Sequence, residues 1–369
     1  MATKYRVGVI GRTGRGNYGH GLATVWSDIP NTEVVALADE DPKGRDEMAQ
    51  KVGARTTYAD YREMLDKERL QIVAIAPRWL DCHRDMVLAC ADRGCHIYLE
   101  KPLCRTLEEA DEMIDACNSA DVKTSIAHQT RYSPVMEQVQ LMIREGVLGD
   151  IVELRGRGKE DRRGGGEDLM VLGTHIMDLM RMCGGEPWSC FGQVLEKGKP
   201  VTKAEVRDGN EGIGPLAGDE IHAMYRFDSP AMGYFSTHKA EYGKGQRFGL
   251  HVHGTRGKLT IRTGSLAEVY YLADASWNPG KSNVGGVKGT SAGPDKPEPI
   301  SGRGSGAHIG NVLAVKDLIE CIETGRRPKG NLEDGRSALQ MILAIYASHR
   351  EGGPVSLPLR ERRHPLSLL

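Results

Sequence analysis

The sequence lacks three features, and each absence argues against a class of function. Its eight cysteines form no Cys-x-x-Cys pair, so the usual zinc and dithiol redox motifs are missing. Basic and acidic residues nearly cancel, with a formal net charge of −1, so we expect no nucleic-acid surface. No apolar run is long enough to cross a membrane, and the N-terminus shows no signal peptide. We therefore expect a cytoplasmic protein with reduced, mostly buried cysteines.

The composition is that of a globular protein with enough residues for two domains. The chain has 369 residues, of which 39% are hydrophobic and 27% are charged. Because single domains most often hold about 100 to 150 residues, one domain would be unusually large. We predict a first domain over residues 1–125 and a second over residues 126–369.

The first domain alternates apolar strands with helix-like segments. This order predicts an α/β fold with a parallel sheet and helices on both faces. The strand-like runs are residues 6–11, 33–38, 72–76, 96–99 and 124–127, and the helix-like runs are 21–27, 44–52, 61–65, 83–93 and 106–119.

A glycine-rich turn follows the first strand and indicates a dinucleotide-binding site. Gly11, Thr13, Gly14 and Gly16 lie in this turn, and Asp39 ends the second strand. Glycines permit a tight turn and a close approach to a pyrophosphate, and the N-terminus of a following helix would favour its charge. The Asp39 carboxylate would bind a ribose diol and repel a 2′-phosphate, so we expect NAD and disfavour NADP.

Two further residues suit the oxidation of a secondary alcohol. Lys101 follows the fourth strand, where its side chain would point into the crevice in which open α/β sheets bind ligands. Its positive charge could stabilise a developing alkoxide. His175 starts a later helix-like stretch, with Asp178 three residues on, and histidine is a natural general base near neutral pH.

Short strings along the chain occur in a characteristic order. They are Gly8-Val9-Ile10-Gly11, Leu37-Ala38-Asp39, Ala76-Pro77 with His83, Glu100-Lys101-Pro102, His128 to Pro134, Gly146 to Gly149, Gly173 to Asp178, Glu333 to Leu339 and Arg363 to Leu366. This set resembles the glucose–fructose oxidoreductase and inositol dehydrogenase family (Gfo/Idh/MocA). The resemblance implies an N-terminal Rossmann domain, a C-terminal α+β domain with a large open, mostly antiparallel sheet, a nicotinamide cofactor and sugar-like substrates.

The resemblance also implies roles for particular residues. It makes Lys101 and His175 the catalytic pair. The cofactor-binding residues that we expect are Gly11, Thr13, Gly14, Gly16, Asp39, Pro77, His83, Glu100, Lys101 and Gln129. Apart from the resemblance, the candidate substrate contacts are Asp178, Arg131, Asp168, Arg163 and His308, of which Arg163 ends an arginine-rich stretch that could recognise a carboxylate or phosphate. No metal is expected.

One position departs from the family pattern. Many members carry an aspartate four residues before the histidine, whereas this chain has Val171. Either Asp168 swings in from the glycine loop at residues 164–166, or Lys101 and His175 act without a carboxylate.

The second domain shows the period-2 alternation of a sheet with one face covered. The runs are residues 151–156, 220–227, 232–236, 250–254 and 258–262, and two helices are expected near residues 308–324 and 333–351. The other face would pair with a second subunit, as a homodimer or homotetramer. Residues 278–306 are rich in glycine, serine, lysine and proline, and this composition predicts a surface loop or a lid over a neighbouring site. The histidines placed in this domain are His222, His238, His251, His253 and His308, and His251 and His253 give only weak support for a metal site.

Three functions are compatible with these residues. The first is an NAD-dependent dehydrogenase acting on a sugar, sugar acid or glycoside. The second is redox-neutral glycoside cleavage, in which oxidation, elimination, hydration and reduction recycle the NAD. The third is a sugar or cofactor sensor, which the retention of Lys101 and His175 argues against.

Overall fold

The computed structural model describes residues 4–239, 247–263, 267–276, 286–299 and 306–369. The chain divides into two compact units. Unit 1 contains Met1–Tyr132, Asn210–Gly214 and Gly304–Arg336, and unit 2 contains Ser133–Gly209, Pro215–Arg303 and Ser337–Leu369. The assignment of residues 1–125 to the cofactor and 126–369 to the substrate is a functional division, and it stays a prediction.

Unit 1 is built on a six-stranded parallel sheet with the order β3-β2-β1-β4-β5-β6. This is the strand order of a Rossmann fold, in which the crevice opens where the order reverses, between β1 and β4. The strands are β1 Tyr5–Ile10, β2 Thr32–Ala38, β3 Thr56–Tyr58, β4 Ile72–Ile75, β5 His96–Leu99 and β6 Thr124–Ile126. The helices are α1 Pro42–Val52, α2 Tyr61–Lys67, α3 His83–Ala91 and α4 Leu107–Ser119.

The segment after β1 differs from the prediction. A helix was expected over residues 21–27, but residues 18–24 form turns and only Val25–Asp28 forms a 3₁₀ helix. Gly14, Gly16, Gly19 and Gly21 all have positive φ, which a right-handed helix does not tolerate. The expected contribution of a helix N-terminus to pyrophosphate binding is therefore wrong for this segment.

Unit 1 also receives a helix from late in the sequence. Helix α8, Gly306–Thr324, packs Ala314, Val315 and Leu318 into the same core as Trp26 and Tyr98. This placement corrects the assignment of His308, at the start of α8, to the sheet domain.

Unit 2 is built on a large mixed sheet with the order β18-β17-β16-β15-β14-β7-β13-β12-β8-β19, in which β9 also pairs with β8. Among the described strand pairs of this sheet, β13 and β7 are parallel and the others are antiparallel. Its strands are β7 Ile151–Arg157, β8 Pro187–Glu196, β9 Lys199–Pro200, β12 Glu220–Phe227, β13 Met232–His238, β14 Gly249–Gly254, β15 Lys258–Arg262, β16 Glu268–Leu272, β17 Val287–Thr290, β18 Gly293–Pro294 and β19 Val355–Ser356. A separate pair joins β10 Arg207–Asp208 to β11 Pro215–Leu216.

Helices cover one face of the large sheet, and among the described residues no helix covers the other, which we call the open face. On the covered face, Gly156 leaves room for the Ile176 side chain, and Gly192 leaves room for Ile345. Phe191, Met224 and Tyr234 point to the open face and lie in one row, because Met224 is paired in register with both. The helices of unit 2 are α5 Pro134–Arg144, α6 Gly166–Val171 and α7 Gly173–Gly184, while α9, Leu332–Glu351, begins in unit 1 and continues in unit 2.

The stretch predicted as a loop or lid, residues 278–306, is described in part. Strands β17 and β18 lie within it, so residues 287–294 belong to the sheet. Residues 278–285 and 300–305 lie outside the described residues. No helix of the described chain has both the length and the apolar character needed to cross a membrane.

Candidate functional site

The glycine loop of unit 1 lies against the ends of two strands, β4 and β5. A Cβ on Gly16 would overlap the backbone amides of Arg78 and Trp79, which follow β4. A Cβ on Gly19 would overlap the Ala76 carbonyl oxygen and the Glu100 carboxylate. Because no side chain fits at these positions, the loop backbone lies close to the carboxyl ends of β4 and β5.

Asp39 holds the same loop from the end of β2. Its carboxylate is 2% exposed and accepts hydrogen bonds from the Thr13 backbone N–H at 3.0 Å and the Thr13 hydroxyl at 2.7 Å. It also accepts one from the backbone N–H of Asp41 at 3.0 Å. Arg45 donates to the Asp39 carbonyl oxygen, away from the carboxylate. The carboxylate thus lies beside the glycine loop, and its chemistry suits a ribose diol.

Glu100 is a fully buried carboxylate that joins the glycine loop to the lysine motif. It accepts hydrogen bonds from the His20 backbone N–H at 2.9 Å and from the Lys101 backbone N–H at 3.0 Å, and the His20 Nδ1 lies 3.1 Å away. Burial by itself would raise the pKa of Glu100, but the hydrogen bonds and charge of His20 and the charge of Lys101 outweigh it and lower the pKa. Glu100 is therefore held ionised beside Lys101, which is 4% exposed.

His83 connects two loops at this edge through backbone carbonyls. Its Nε2 lies 2.7 Å from the Pro77 carbonyl oxygen, and its Nδ1 lies 3.1 and 3.0 Å from those of Pro102 and Leu103. The ring is fully buried. These contacts give His83 a positioning role for the segments after β4 and β5.

Asn311 is a site residue that the sequence analysis missed. It is fully buried on α8, and its amide oxygen accepts hydrogen bonds from the Tyr98 hydroxyl at 2.7 Å and from Gln129 Nε2 at 3.1 Å. Its amide nitrogen donates to the His20 carbonyl oxygen at 2.8 Å. One side chain thus ties β5, the segment after β6 and the glycine loop together. No sequence signal marked it, because its partners lie far away in the chain.

Two candidate substrate contacts of unit 1 are engaged elsewhere in that unit. Arg131 donates to the Lys329 carbonyl oxygen at 2.6 Å and lies 3.5 Å from the Asp334 carboxylate. His308 is paired through Nε2 with the Asp28 carboxylate. Substrate binding by either residue stays a prediction.

His175 lies in the first turn of α7 in unit 2. Its ring packs edge-to-face on Phe248, with 6.3 Å between the ring centroids. Asp178 lies one turn further along the helix and is 1% exposed. Four residues before the histidine, Val171 ends α6 as a buried apolar residue, 4% exposed. The position that carries an aspartate in many relatives is therefore filled by a packed methyl-bearing side chain.

Asp168, the candidate for the missing carboxylate, is hydrogen-bonded within unit 2. It is fully buried on α6 and accepts hydrogen bonds from the backbone N–H groups of Lys159 at 3.2 Å and Glu160 at 3.1 Å, and from the Thr237 hydroxyl. Burial raises its pKa, and these hydrogen bonds oppose the rise. Three donors hold its carboxylate within unit 2 in this structure, and the alternative that Asp168 swings in from the glycine loop stays a prediction.

A second buried carboxyl, which the sequence analysis missed, lies beside Asp168. Glu160 has a positive φ of 55° and is fully buried, with Arg157 at 3.5 Å and Arg247 at 3.3 Å. Burial and the neighbouring Asp168 carboxylate raise the pKa of Glu160 to about 7. Arg163, a candidate substrate contact, is instead paired with both carboxylate oxygens of Asp161, at 3.1 and 2.7 Å.

The arginines at the end of β7 face a cavity of about 470 Å³ on the open face of the sheet. The charged residues that line it are Arg155, Arg157, Arg247 and Arg262, and Phe248, the ring neighbour of His175, also borders it. Three carboxyl groups lie within 4 Å of these four arginines, because Arg157 and Arg247 share Glu160, so the cavity keeps a net positive charge.

Comparisons with known proteins agree with this architecture. The model of the oxidoreductase family with an NAD-binding Rossmann fold matches residues 5–128, and the model of its C-terminal alpha/beta domain matches residues 141–357. Levoglucosan dehydrogenase of Pseudarthrobacter phenanthrenivorans is 26% identical over 353 residues, covering 87% of this chain and 89% of that protein. The scyllo-inositol 2-dehydrogenase (NAD(+)) of Bacillus subtilis is 24% identical and covers 98% of both chains.

A solved structure of levoglucosan dehydrogenase in complex with NADH and levoglucosan has a similar fold. Its TM-score is 0.77 at 23% identity, and the match covers 97% of this chain and all of that one. The predicted Rossmann domain and the predicted C-terminal sheet domain are thus confirmed. Because the two family models together span most of the chain, this protein belongs to the Gfo/Idh/MocA family of NAD-binding oxidoreductases.

Proposed function

We propose that this protein is an NAD-dependent dehydrogenase that oxidises a secondary alcohol of a sugar, sugar acid or glycoside. The observation that carries the proposal is Lys101, a buried lysine beside the ionised Glu100 at the carboxyl edge of a Rossmann sheet. A buried ammonium is costly unless an opposite charge lies near it, and the Glu100 carboxylate, whose pKa the charge of Lys101 lowers, provides that charge. Relatives that are named dehydrogenases of levoglucosan, D-apiose and inositols support a polyol substrate.

The unit 1 residues fit a dinucleotide. Gly11, Gly14 and Gly16 would face its phosphates, Asp39 its adenosine ribose, and Lys101 and Gln129 its nicotinamide half. Pro77, His83 and Glu100 would keep those segments in place. Bound NAD would supply the hydride acceptor.

Lys101 and His175 have separate roles in the proposed reaction. The Lys101 ammonium donates a hydrogen bond to the reacting oxygen and stabilises its developing negative charge. His175 takes the hydroxyl proton as general base, and histidine suits this task because it titrates between about pH 5 and 8. With Val171 apolar and Asp168 held by three donors, no carboxylate from these two positions assists.

Replacing Asp39 by alanine is expected to change the cofactor preference. A charge-assisted hydrogen bond is worth about 1.5 to 3 kcal/mol, so the affinity for NAD should fall about ten- to hundredfold. The affinity for NADP should fall less than that for NAD, because removing the repulsion of its 2′-phosphate offsets the loss of the loop contacts of Asp39. Calorimetric titration with both cofactors measures this, and the neighbouring Glu40→Ala is the control because Glu40 is exposed and lies 3.9 Å from Arg12. An equal loss for NAD and NADP would contradict the assignment.

The first test of the function is a spectrum of the purified protein with NAD across a substrate panel. The panel contains levoglucosan, D-apiose, D-xylose, inositols, sugar acids and aryl glycosides, and each sample is also assayed for released aglycone. We expect a substrate-dependent rise in the absorbance of reduced nicotinamide. Aglycone release without that rise would overturn the dehydrogenase in favour of redox-neutral cleavage. Tight NAD binding without any product would favour a sensor.

We also propose that the open face of the large sheet forms a homodimer or homotetramer in the cytoplasm. The row of Phe191, Met224 and Tyr234 supports this, since Phe191 is 39% and Tyr234 38% exposed. All eight cysteines are free and buried, which suits a reducing compartment. The mass measured by light scattering tests the assembly.

A further inference from the structure

Two histidines and a glutamate converge on the open face of the large sheet, apart from the residues of the proposed reaction. Glu220 on β12 is directly opposite His238 on β13, and His222 lies two residues further along β12 on the same face. Glu220 Oε1 lies 2.7 Å from His222 Nε2 and 3.8 Å from His238 Nε2. One ligand atom from each residue falls within 4.8 Å of the others.

This donor set has the chemistry of a zinc site. Zinc binds imidazole nitrogen at about 2.0 to 2.1 Å and carboxylate oxygen at about 2.0 to 2.2 Å. Ligand atoms at the corners of a tetrahedron of that size lie about 3.4 Å apart. The distances from Glu220 Oε1 to His222 Nε2 and His238 Nε2, 2.7 and 3.8 Å, lie on either side of this value. Each distance would therefore change by less than 1 Å if the side chains moved to bind an ion. The side chains are 45%, 29% and 23% exposed for His222, Glu220 and His238, which leaves room for that movement.

We propose that Glu220, His222 and His238 bind one divalent cation of the zinc class per chain, with water in the remaining position. Both imidazoles approach the same carboxylate oxygen, and their ring centroids are 5.2 Å apart. The cation replaces protons at the point where the three side chains meet. It links β12 to β13 through side chains, in addition to the backbone ladder. The site goes beyond the proposed function, because none of its ligands belongs to the cofactor or catalytic residues.

A second histidine pair on the same face provides a matched control. The rings of His251 and His253 stack at 6.3 Å and 17° on β14. The nearby Glu153 carboxylate is bonded to Arg155 Nε at 2.7 Å. Burial, Lys258 and His251 lower the pKa of His253 to about 4. Glu153 lies directly opposite His253, but because its carboxylate pairs with Arg155, these residues form no three-ligand group among the described residues.

The test is a zinc titration of the full-length protein after dialysis against EDTA, followed by calorimetry and by competition with a chromophoric chelator. We expect the parent protein to bind one zinc ion per chain. The zinc affinity should fall at least about tenfold in His222→Ala, His238→Ala and Glu220→Gln, because mutating even the outer-shell partners of a metal site typically lowers metal affinity by that factor. The His251→Ala/His253→Ala double variant should bind like the parent. X-ray absorption of the loaded protein should show two imidazole ligands.

Thermal unfolding without metal checks that each variant is folded, and zinc should raise the midpoint of the parent but not of the triad variants. Equal zinc binding by the parent and by His222→Ala/His238→Ala would overturn the proposal, as would loss of binding only in the control pair. Because zinc binding is measured without turnover, this result is independent of whether the protein is a dehydrogenase.

Discussion

Replacing Lys101 by methionine is expected to lower kcat at least a thousandfold while leaving the Kd for NAD within a few fold. A thousandfold loss corresponds to about 4 kcal/mol of transition-state stabilisation, which is within the range of a preorganised charge at a developing alkoxide. Methionine fills the space of the buried stem but donates no hydrogen bond. The measurement is steady-state reduction of NAD with the best substrate of the panel, together with a fluorescence titration of NAD.

The matched control for this substitution is Lys123→Met. Lys123 directly precedes β6, as Lys101 follows β5, but its ammonium pairs with Asp121 at 2.7 Å on the surface. The Lys123→Met variant should retain the parental kcat. Because Glu100 would lose its charged neighbour in Lys101→Met, the thermal midpoint of that variant must be recorded. A folded Lys101→Met variant with more than a tenth of the parental kcat would remove this lysine from the mechanism.

Replacing His175 by alanine is expected to lower kcat by about a hundred- to a thousandfold, since a positioned general base typically contributes 10² to 10⁴. Phe248 packs on the ring, so the substitution leaves a small space beside the aromatic side chain. The measurement is kcat as a function of pH between about 5 and 9. The parent should lose activity as acid protonates the base, and the acid limb should flatten in His175→Ala.

Added imidazole separates a chemical role from a structural one for His175. It should restore part of the kcat of His175→Ala and none of the kcat of Lys101→Met, because only the first variant lacks a base of that kind. Asp178→Asn, one turn along the same helix, tests whether the buried carboxylate contributes. If imidazole has no effect and the acid limb persists, His175 is not the base.

The core of the Rossmann sheet could be predicted because its strands are buried on both faces. All four residues of β4 are fully buried and apolar, and β5 begins and ends at the predicted residues. The short β3 was missed, because its three residues are polar or aromatic and none is buried. The helix after β1 was predicted wrongly, because the glycines that are typical of a dinucleotide-binding turn have positive φ values here, and these values break the helix.

The site was predictable where local sequence determines it, and unpredictable where distant residues complete it. Asp39 and the Glu100-Lys101 pair follow directly from strands, so their positions could be predicted from the apolar runs. Asp168 accepts a hydrogen bond from Thr237, which is 69 residues away in the sequence, and Asn311 accepts one from Tyr98, which is 213 residues away. Such contacts leave no periodic or compositional trace. Glu160 was missed because a single glutamate in a charged stretch looks like a solvated side chain.

The late position of helix α8 in the sequence affects the order in which the two units can fold during synthesis. Asn311 and the α8 side chains Ala314, Val315 and Leu318 complete the core of unit 1, yet the ribosome makes them after residues 133–303. Domains usually fold as they emerge, with the N-terminal one first. Here the core around β1 lacks its α8 side chains until the last fifth of the chain is made, so most strands of unit 2 are synthesised before the nucleotide-binding unit is complete.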